Sequence, residues 1–389
     1  MSLTPSLLPP RFLQTDLPYS RPPTPGVHDK VRVGWVGLGV MGHIMARNLA
    51  LHPSSRPAVA LPIVVWNRSK DKSEKLAKEL GEGKIAVAQT LEEIATQCDV
   101  IITSLANDAA VISVYTQMTN ALKAHPPTKT KIFVETSTVY PKVAGELDIL
   151  ISALPHGHFV TAPVFGPPAA AETSALIVCL SGDYRIKKEV AHILVPAVGR
   201  KVLDLGGNVE KGASFSGLGH EHGRIEMDGD GTAPTFKLIG NGMILGSMEL
   251  VAEAYTVAEK AGIDQEIVYQ YIKDMFPAPP MLNYGNKMLN RQFDGNKGFA
   301  IDNGIKDASH IHRLTTEVNA PMPVVDIALQ HMLTARALHD AQARTGATDF
   351  PVLDWSALVA GTRVAAGLDP LRDDKASPLT ATAKVEKDD

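Results

Sequence analysis

The stretch Val33–Leu49 reads V-G-W-V-G-L-G-V-M-G-H-I-M-A-R-N-L and decides the fold of this chain. An apolar run typical of a β-strand enters it, and apolar residues at helical spacing leave it. Between them, Gly37, Gly39 and Gly42 have G-x-G-x-x-G spacing. In a strand–turn–helix unit such glycines permit a tight turn, close approach of a pyrophosphate and packing of helix on strand. Because both flanks fit, the stretch predicts a dinucleotide-binding unit rather than an ordinary glycine turn.

Length and composition are those of an ordinary globular protein. The 389 residues suffice for two domains, and a net charge of −4 does not suggest a nucleic-acid binder. Cys98 and Cys179 both lie in strand-like runs, which indicates a reducing compartment and no disulfide framework. Because no run of about 18 uncharged apolar residues occurs, we expect a cytoplasmic protein that does not associate with membranes.

Both ends of the chain have compositions typical of disorder. Residues 1–29 are rich in Pro and Ser, and we expect a disordered N-terminal arm. A mitochondrial presequence is the alternative, although the arm has no convincing amphipathic helix. Residues 371–389 form a charged tail rich in Ala and Thr, which we also expect to be disordered.

The segment 206–233 has no periodicity and many glycines, so we interpret it as an inter-domain loop or insertion. It contains two short motifs with metal-ligating side chains, His220-x-His222 and Asp228-x-Asp230. Neither has enough ligands at the spacing that zinc or calcium sites use. We therefore expect no metal site.

The end of the second predicted strand indicates which cofactor is bound. A unit that binds NAD usually places Asp or Glu here, where the carboxylate accepts hydrogen bonds from the ribose 2′-hydroxyl. This chain has Asn67, Arg68 and Ser69 instead. A guanidinium suits a 2′-phosphate, whereas a carboxylate would repel it. The residues predict NADP(H), and the alternative is that Arg68 is only a solvated turn residue.

Strands and helices alternate through residues 30–205, which we assign to the dinucleotide-binding domain. Strands are predicted at 31–36, 61–66, 99–105, 131–135, 159–164 and 175–181. This alternation predicts a mainly parallel, doubly wound sheet of the Rossmann type, in which ligands lie beyond the carboxyl ends of the strands. Residues at those ends are therefore expected around the cofactor: Leu105, Ala106, Asn107, Ser137, Thr138, Pro163 and Gly166.

Residues 234–370 have helical periodicity, and we assign them to an all-α domain. The longest predicted helix, 235–261, has a broad apolar face and ends before Gly262. Further helices are predicted at 265–275, 305–318, 323–345 and 355–367. Because so wide an apolar face needs several partners, this domain is expected to form a homodimer.

Four motifs, in their order along residues 31–367, resemble those of the β-hydroxyacid dehydrogenases. That family includes 3-hydroxyisobutyrate, 6-phosphogluconate and tartronate semialdehyde enzymes and the glyoxylate/succinic semialdehyde reductases. The motifs are G-L-G-V-M-G-H-I-M-A-R-N-L, E-T-S-T-V-Y-P at 135–141, K-L-I-G-N at 237–241 and Lys306-Asp307. The resemblance implies a Rossmann domain followed by a helical dimerising domain. It also implies hydride transfer between NADP(H) and a carbonyl or 3-hydroxy acid substrate.

The resemblance implies a role for particular side chains. Lys237 would be the general acid or base, with Asn241 one turn further on the same helix face. The alternative is that Lys237 is an ordinary surface lysine, whose charged end extends into water. Ser137 and Thr138 would lie near the nicotinamide and the substrate, and Lys306 would contact the cofactor. The glycine loop would bind the cofactor through Gly37, Leu38, Gly39, Val40, Met41 and Gly42.

One loop departs from the family pattern. Where the family usually has D-A-P-V-S-G-G, this chain reads T-A-P-V-F-G-P at 161–167. Phe165 replaces a serine that holds a substrate carboxylate, and Gly166 is followed by Pro167, which has no N–H. This predicts a bulkier or less polar substrate at Phe165 and Gly166. An imine reductase, or a catalytically silent NADP-binding scaffold, are the alternative functions.

Overall fold

The structure, a computed structural model, describes residues 16–20, 30–53, 58–207, 209, 232–346, 348 and 350–371. The chain divides into two compact units, Met1–Leu238 and Ile239–Asp389. The first contains a sheet with helices, and the second is helical. The predicted fold class, a Rossmann-type sheet followed by an all-α domain, is confirmed.

Among the described residues, nine strands form the sheet of the first unit, in the order β3-β2-β1-β4-β5-β6-β8-β7 with β9 beside β8. They are β1 Val31–Val36, β2 Val59–Trp66, β3 Ile85–Val87, β4 Val100–Thr103, β5 Lys131–Glu135, β6 Gly157–Thr161, β7 Val164–Phe165, β8 Leu176–Gly182 and β9 Gly199–Asp204. Strands β1 to β6 are parallel, and β8 is antiparallel to both β6 and β7. The carboxyl ends of β1, β4, β5 and β6 therefore meet at one edge of the sheet.

Helices cover both faces of this sheet. They are α1 Val40–Leu51, α2 Lys70–Leu80, α3 Leu91–Gln97, α4 Asp108–Ala124, α5 Pro141–Ser152, α6 Pro168–Glu172 and α7 Tyr184–Leu194. Side chains alternate across a strand, so Ile102 of β4 packs in the core under α1, α2 and α7, while Ile101 packs in the core under α3, α4 and α5. Strands that are apolar on both faces need helices on both sides, which explains the doubly wound fold.

The predicted single strand over 159–164 is wrong, because the chain breaks at Pro163. Strand β6 ends at Thr161, and β7 then pairs with β8 in the antiparallel sense. Proline has no N–H for a strand ladder, and the carbonyl of Pro163 instead accepts the N–H of Cys179 at 2.9 Å. The break places β7, which ends at Phe165, and the following Gly166 beyond the carboxyl end of β6.

Part of the expected N-terminal arm packs on the first unit. Asp16 exchanges backbone hydrogen bonds with the start of β9, to Arg200 and from Val202. Tyr19 is 5% exposed and donates a 2.8 Å hydrogen bond to the carboxylate of Asp204. The expectation of a disordered arm is therefore wrong for Asp16–Ser20, because an aromatic ring with a satisfied hydroxyl gains by burial. Residues 1–15 and 21–29 lie outside the described residues.

The helical unit is built on the helix that enters it, α8 Ala233–Lys260, whose residues up to Leu238 belong to the first unit. It continues with α9 Gln265–Met275, α10 Pro279–Leu289, α11 Ile301–Glu317, α12 Pro323–Arg344, a 3₁₀ turn Trp355–Leu358 and α13 Val359–Ala365. Helix α10 was not predicted, because its Pro-Pro start has the composition of a loop; proline is nevertheless well suited to the first turn of a helix. In the part of the chain that the structure describes, no helix has the length and apolarity to cross a bilayer.

Two predicted segments fall mainly on residues that the structure does not describe. Of the segment 206–233, it describes 206, 207, 209, 232 and 233. Both short motifs with His and Asp side chains lie outside these, and so does the tail beyond Leu371. Among the described residues, no three His, Cys, Asp or Glu side chains form a group that could hold a metal ion.

Candidate active site

The glycine loop between β1 and α1 has contacts that only glycine allows. Gly37 has φ of +99°, and a Cβ on it would lie 2.2 Å from the carbonyl oxygen of Ser104. A Cβ on Gly42 would lie 2.2 Å from the carbonyl oxygen of Gly37. The indole of Trp35 donates a 3.1 Å hydrogen bond to that same carbonyl. At the first and third positions of the motif, a side chain would thus collide with backbone atoms of the protein, and only glycine fits.

Gly39 differs from the other two glycines. A Cβ on it would meet no protein atom within 4 Å, and Gly39 is the N-cap of α1 without a side chain to cap the helix. The first N–H groups of a helix lack intrahelical partners and face outward. Val40 is exposed and Met41 is half-buried beside them. No protein atom requires glycine at position 39, and the open helix N-terminus there fits the pyrophosphate of a dinucleotide.

Asn67 connects the glycine loop to the end of β2. Its Oδ1 accepts the N–H of Leu38 at 2.9 Å, and its Nδ2 donates to the carbonyl of Ser69 at 2.9 Å. Leu38 is itself in the core, with 3% of its surface exposed. Asn67, which the sequence predicts to lie at the cofactor, thus hydrogen-bonds both the glycine loop, at Leu38, and the turn after β2, at Ser69. Arg68 and Ser69 are exposed next to it, with no carboxylate among the strand-end residues.

The ends of the central strands lie in one row. Val36 pairs with Thr103, Thr103 with Glu135, Glu135 with Thr161, and Thr161 with Ser181. The loops that follow the parallel strands β1, β4, β5 and β6 therefore leave from the same edge of the sheet, and the antiparallel β8 contributes Ser181 to that edge. This edge brings together the glycine loop and most of the residues that the sequence expected around a cofactor: Leu105, Ala106, Ser137, Thr138, Phe165 and Gly166.

A buried carboxyl group organises this edge. Glu135 is fully buried; its Oε1 accepts the N–H of Ser137 at 2.6 Å, and its Oε2 accepts the hydroxyl of Thr103 at 2.8 Å. Burial raises the pKa of Glu135 from 4.5 to about 7, although the hydrogen bonds from Ser137, Thr103 and Tyr115 act in the opposite direction. The hydroxyl of Ser137 in turn accepts the N–H of Leu105 at 2.7 Å. Glu135 therefore fixes the loop that carries Ser137 and Thr138.

Hydrogen bonds of the first unit hold the start of α8 at the same edge. The hydroxyl of Ser181 accepts the N–H of Ala233, the first residue of α8, at 2.7 Å. The hydroxyl groups of Ser181 and Thr161 lie 2.9 Å apart. Lys237 follows Ala233 by four residues, and hence by about one helical turn. The row of strand ends thus determines where Lys237 lies.

The Lys237 ammonium lies against an aromatic ring. Its Nζ is 4.3 Å from the ring centroid of Phe165, and the ring of Phe236 meets that of Phe165 edge-on, with the centroids 5.9 Å apart. Lys237 is half-buried, as is Phe165. Burial raises the pKa of the nearby Cys179 thiol to about 12, and the positive charge of Lys237 opposes that rise. An ammonium at this edge of the sheet can donate a proton to a neutral oxygen.

The other two predicted polar residues lie in the helical unit. Asn241 is buried, and its Nδ2 donates a 2.7 Å hydrogen bond to Oδ2 of Asp307. The Nζ of Lys306 lies 3.0 Å from Oδ1 of that same carboxylate. Asp307 is itself fully buried, so the Lys-Asp pair of the motif contributes a carboxylate that orients the amide of Asn241.

Sequence reasoning did not identify several residues that shape this edge. It quoted Glu135 within a motif and gave it no function, and it did not single out Thr103, Ser181 or Phe236. A buried acid at a strand end was a usable signal, because an unpaired carboxylate is costly inside a protein. Phe236 and Ser181 carry no such signal, since their roles depend on residues distant along the chain.

Comparisons with known proteins agree with this architecture. Residues 32–207 match the family model described as the NAD-binding domain of 6-phosphogluconate dehydrogenase. Residues 231–348 match the model described as the NAD-binding domain of NADP-dependent 3-hydroxyisobutyrate dehydrogenase. The two matches cover the sheet and the larger part of the helical unit. A nicotinamide dinucleotide is therefore the cofactor of this family of domains.

The matches to individual relatives cover nearly the whole length of each relative. An NADH-dependent oxidoreductase of Aspergillus ustus is 27% identical, over 84% of this chain and 98% of the relative. Glyoxylate/succinic semialdehyde reductase 1 of Arabidopsis thaliana is 26% identical, over 79% and 93%. The crystal structure of a 3-hydroxyisobutyrate dehydrogenase from Salmonella typhimurium superposes with a TM-score of 0.65 at 20% identity, over 85% of this chain and 99% of that one, and supports the fold. The resemblance inferred from the four motifs is confirmed, and the chain belongs to the β-hydroxyacid dehydrogenase family of nicotinamide-dependent oxidoreductases.

Proposed function

We propose that the protein transfers hydride between NADP(H) and a carbonyl or 3-hydroxy acid substrate, with Lys237 as the general acid or base. The observation that carries this proposal is the position of the Lys237 ammonium, 4.3 Å from the Phe165 ring centroid at the carboxyl edge of the sheet. The glycine cradle leaves from that same edge. A proton donor and a dinucleotide site on one edge are what carbonyl reduction requires.

The choice of NADP(H) rests on the end of β2. Arg68 is exposed there, and the turn Asn67–Ser69 contains no carboxylate that would repel a 2′-phosphate. The family model that matches 231–348 is described by an NADP-dependent enzyme, which supports this choice. The Aspergillus ustus relative is named as NADH-dependent, which supports the opposite one. Side-by-side affinities for the two cofactors are therefore part of the test.

The chemistry follows from the residues at this edge. The bound cofactor supplies or accepts the hydride. Lys237 donates its proton to the substrate oxygen during reduction and removes it during oxidation. Ser137 and Thr138 offer hydroxyl groups to the substrate on the loop that Glu135 holds. The family resemblance also gives Asn241 a role toward the substrate; within the helical unit, the carboxylate of Asp307 accepts a hydrogen bond from its amide.

We further propose that the protein forms a homodimer through α8. Met243, Leu250 and Val257 recur at intervals of seven residues on this helix and are 69%, 57% and 66% exposed. An apolar seam with this repeat is typical of helices that pack against another helix. Ile267, Tyr271 and Met275 form a second exposed apolar stripe, on α9. A second copy of the chain is the occupant that these stripes favour, because a two-fold interface can bury equivalent surfaces of both subunits.

The test measures NADPH consumption by the wild type and by Lys237→Ala with semialdehydes, ketones and cyclic imines. General acid catalysis contributes roughly 10²- to 10⁴-fold, so Lys237→Ala should lose about 3 to 5 kcal/mol of barrier lowering. NADPH binding, followed by fluorescence, should change little. Lys237→Arg should not restore turnover, because a guanidinium holds its proton. Lys123→Ala, at an exposed lysine of α4, is the matched control.

The outcomes separate the alternatives. Turnover of Lys237→Ala within a few-fold of wild type would show that Lys237 is not the acid, and Tyr140 or Tyr255 would be examined next. Turnover of cyclic imines alone would identify an imine reductase. Tight NADPH binding without consumption on any substrate would indicate a scaffold protein.

A further inference from the structure

The loop after β6 presents an aromatic surface where the family has a hydroxyl group. On β7, Val164 is buried in the core, and alternation places Phe165 on the other side. Phe165 belongs to neither core cluster of the first unit. Among the described residues, its ring contacts Phe236 and the Lys237 ammonium. Both rings retain exposed surface, 36% in the case of Phe236.

The backbone around Phe165 fixes this surface in place. Gly166 has φ of +138°, and a Cβ on it would lie 2.6 Å from a methyl carbon of Leu176. Pro167, the N-cap of α6, cannot donate a backbone hydrogen bond. Phe165 is paired with Ile177 across the β7–β8 ladder. The loop therefore offers a substrate neither a side-chain hydroxyl at 165 nor an N–H at 167.

The aromatic rings also determine which charged groups this site can accommodate. A ring face attracts an ammonium without accepting its proton. The Phe165 ring, 4.3 Å from the Lys237 Nζ, is one such face. A substrate with a carboxylate at this position would face two phenyl rings, and the desolvation of that carboxylate would be poorly compensated. A flat apolar group would instead cover the exposed ring surface.

We propose that the substrate carries an aryl or similarly flat apolar group, rather than a carboxylate, at the position next to Phe165 and Phe236. This inference rests on the proposed function, since it names the substrate class of that same site. The carbonyl oxygen is directed to Lys237, and the apolar group lies against the two rings. Phe165 is thus a specificity-determining residue.

The test compares two aldehydes that differ only in the distal group: 3-phenylpropanal and succinic semialdehyde. Each is assayed with both NADPH and NADH, so that cofactor choice does not affect the comparison. The wild type should reduce 3-phenylpropanal with kcat/KM at least about tenfold above that for succinic semialdehyde. Phe165→Ser should lower kcat/KM for 3-phenylpropanal by about tenfold or more, chiefly through KM, and should not lower it for succinic semialdehyde.

Two further variants test whether the effect on the phenyl substrate comes from the two aromatic rings. Phe236→Leu removes the second ring without adding a hydroxyl, and it should weaken use of the phenyl substrate alone. Ile149→Ser changes a 72% exposed apolar residue of α5 and should leave both rates unchanged. A wild type that prefers succinic semialdehyde, or a Phe165→Ser variant that slows both aldehydes equally, would overturn the inference. If neither aldehyde is reduced with either cofactor, the proposed function fails, and the substrate inference fails with it.

Discussion

Replacing Glu135 with glutamine should change how the stability of the protein depends on pH. The side chain is fully buried, and both of its oxygens accept hydrogen bonds from Ser137 and Thr103. Glutamine has nearly the same shape. Its carbonyl can accept the N–H of Ser137, and its amide can donate to the hydroxyl of Thr103. The variant therefore reproduces the protonated acid and removes only the titration.

The size of the effect follows from the pKa. Burial raises the pKa of Glu135 to about 7, from 4.5. Between these values the folded protein holds a proton that the unfolded chain releases, so the free energy of unfolding falls as pH rises. At about 1.4 kcal/mol for each pKa unit, the loss is about 3 kcal/mol between pH 4.5 and 7. Below this window the penalty is absent, and above it the penalty is complete.

Urea unfolding of the cofactor-free protein, at a series of pH values from about 5 to 8, provides the measurement. The difference between Glu135→Gln and wild type should shift by about 3 kcal/mol in favour of the variant across this range. Glu146→Gln, at an exposed position of α5, is the control and should follow the wild-type curve. If the wild-type and Glu135→Gln curves stay parallel within about 0.5 kcal/mol, Glu135 does not titrate as its burial implies.

Two further perturbations test the cofactor site and the dimer. Arg68→Asp should reverse the preference for NADPH over NADH, because a carboxylate repels the 2′-phosphate and accepts hydrogen bonds from a ribose hydroxyl. Equal affinity of the wild type for both cofactors, measured by fluorescence titration, would refute that interpretation of the strand end. Leu250→Glu, on the exposed seam of α8, should reduce the mass found by light scattering from twice the chain mass toward that of one chain. A wild type that is monomeric at micromolar concentration would contradict the proposed dimer.

The elements that the sequence predicted well are those whose signals are local. Strands β1 and β5 have the predicted bounds, because each is an apolar run between turn-forming residues. The glycine loop was equally predictable, since steric contacts at Gly37 and Gly42 exclude every other residue. The break at Pro163 and the docking of Asp16–Ser20 were not predicted. Both depend on partners elsewhere in the chain, at Cys179 and at β9.

In the candidate site, too, local motifs were predictable from the sequence and contacts between distant residues were not. Motif spacing was enough to select Lys237, Asn241 and Ser137. It could not show that Asn67 acts through the N–H of Leu38, a residue 29 positions away. Nor could it show that Asp307, the neighbour of Lys306 in the motif, is the residue that accepts a hydrogen bond from Asn241. Side chains that hold other side chains carry little signal in a single sequence, because many residue types can fill such a place.

The position of Lys237 shows how such distant contacts determine chemistry. The hydroxyl of Thr161, at the end of β6, meets that of Ser181, which holds the N–H of Ala233. A helix rises about 1.5 Å for each residue, so Lys237 lies about 6 Å further along α8. Since the helix is stiff over one turn, a shift of Ala233 carries Lys237 with it. A misplacement of about 1 Å can cost roughly a hundredfold in rate. The Thr161–Ser181 pair therefore sets the position of Lys237, the proposed proton donor, relative to the cradle that β1 supports.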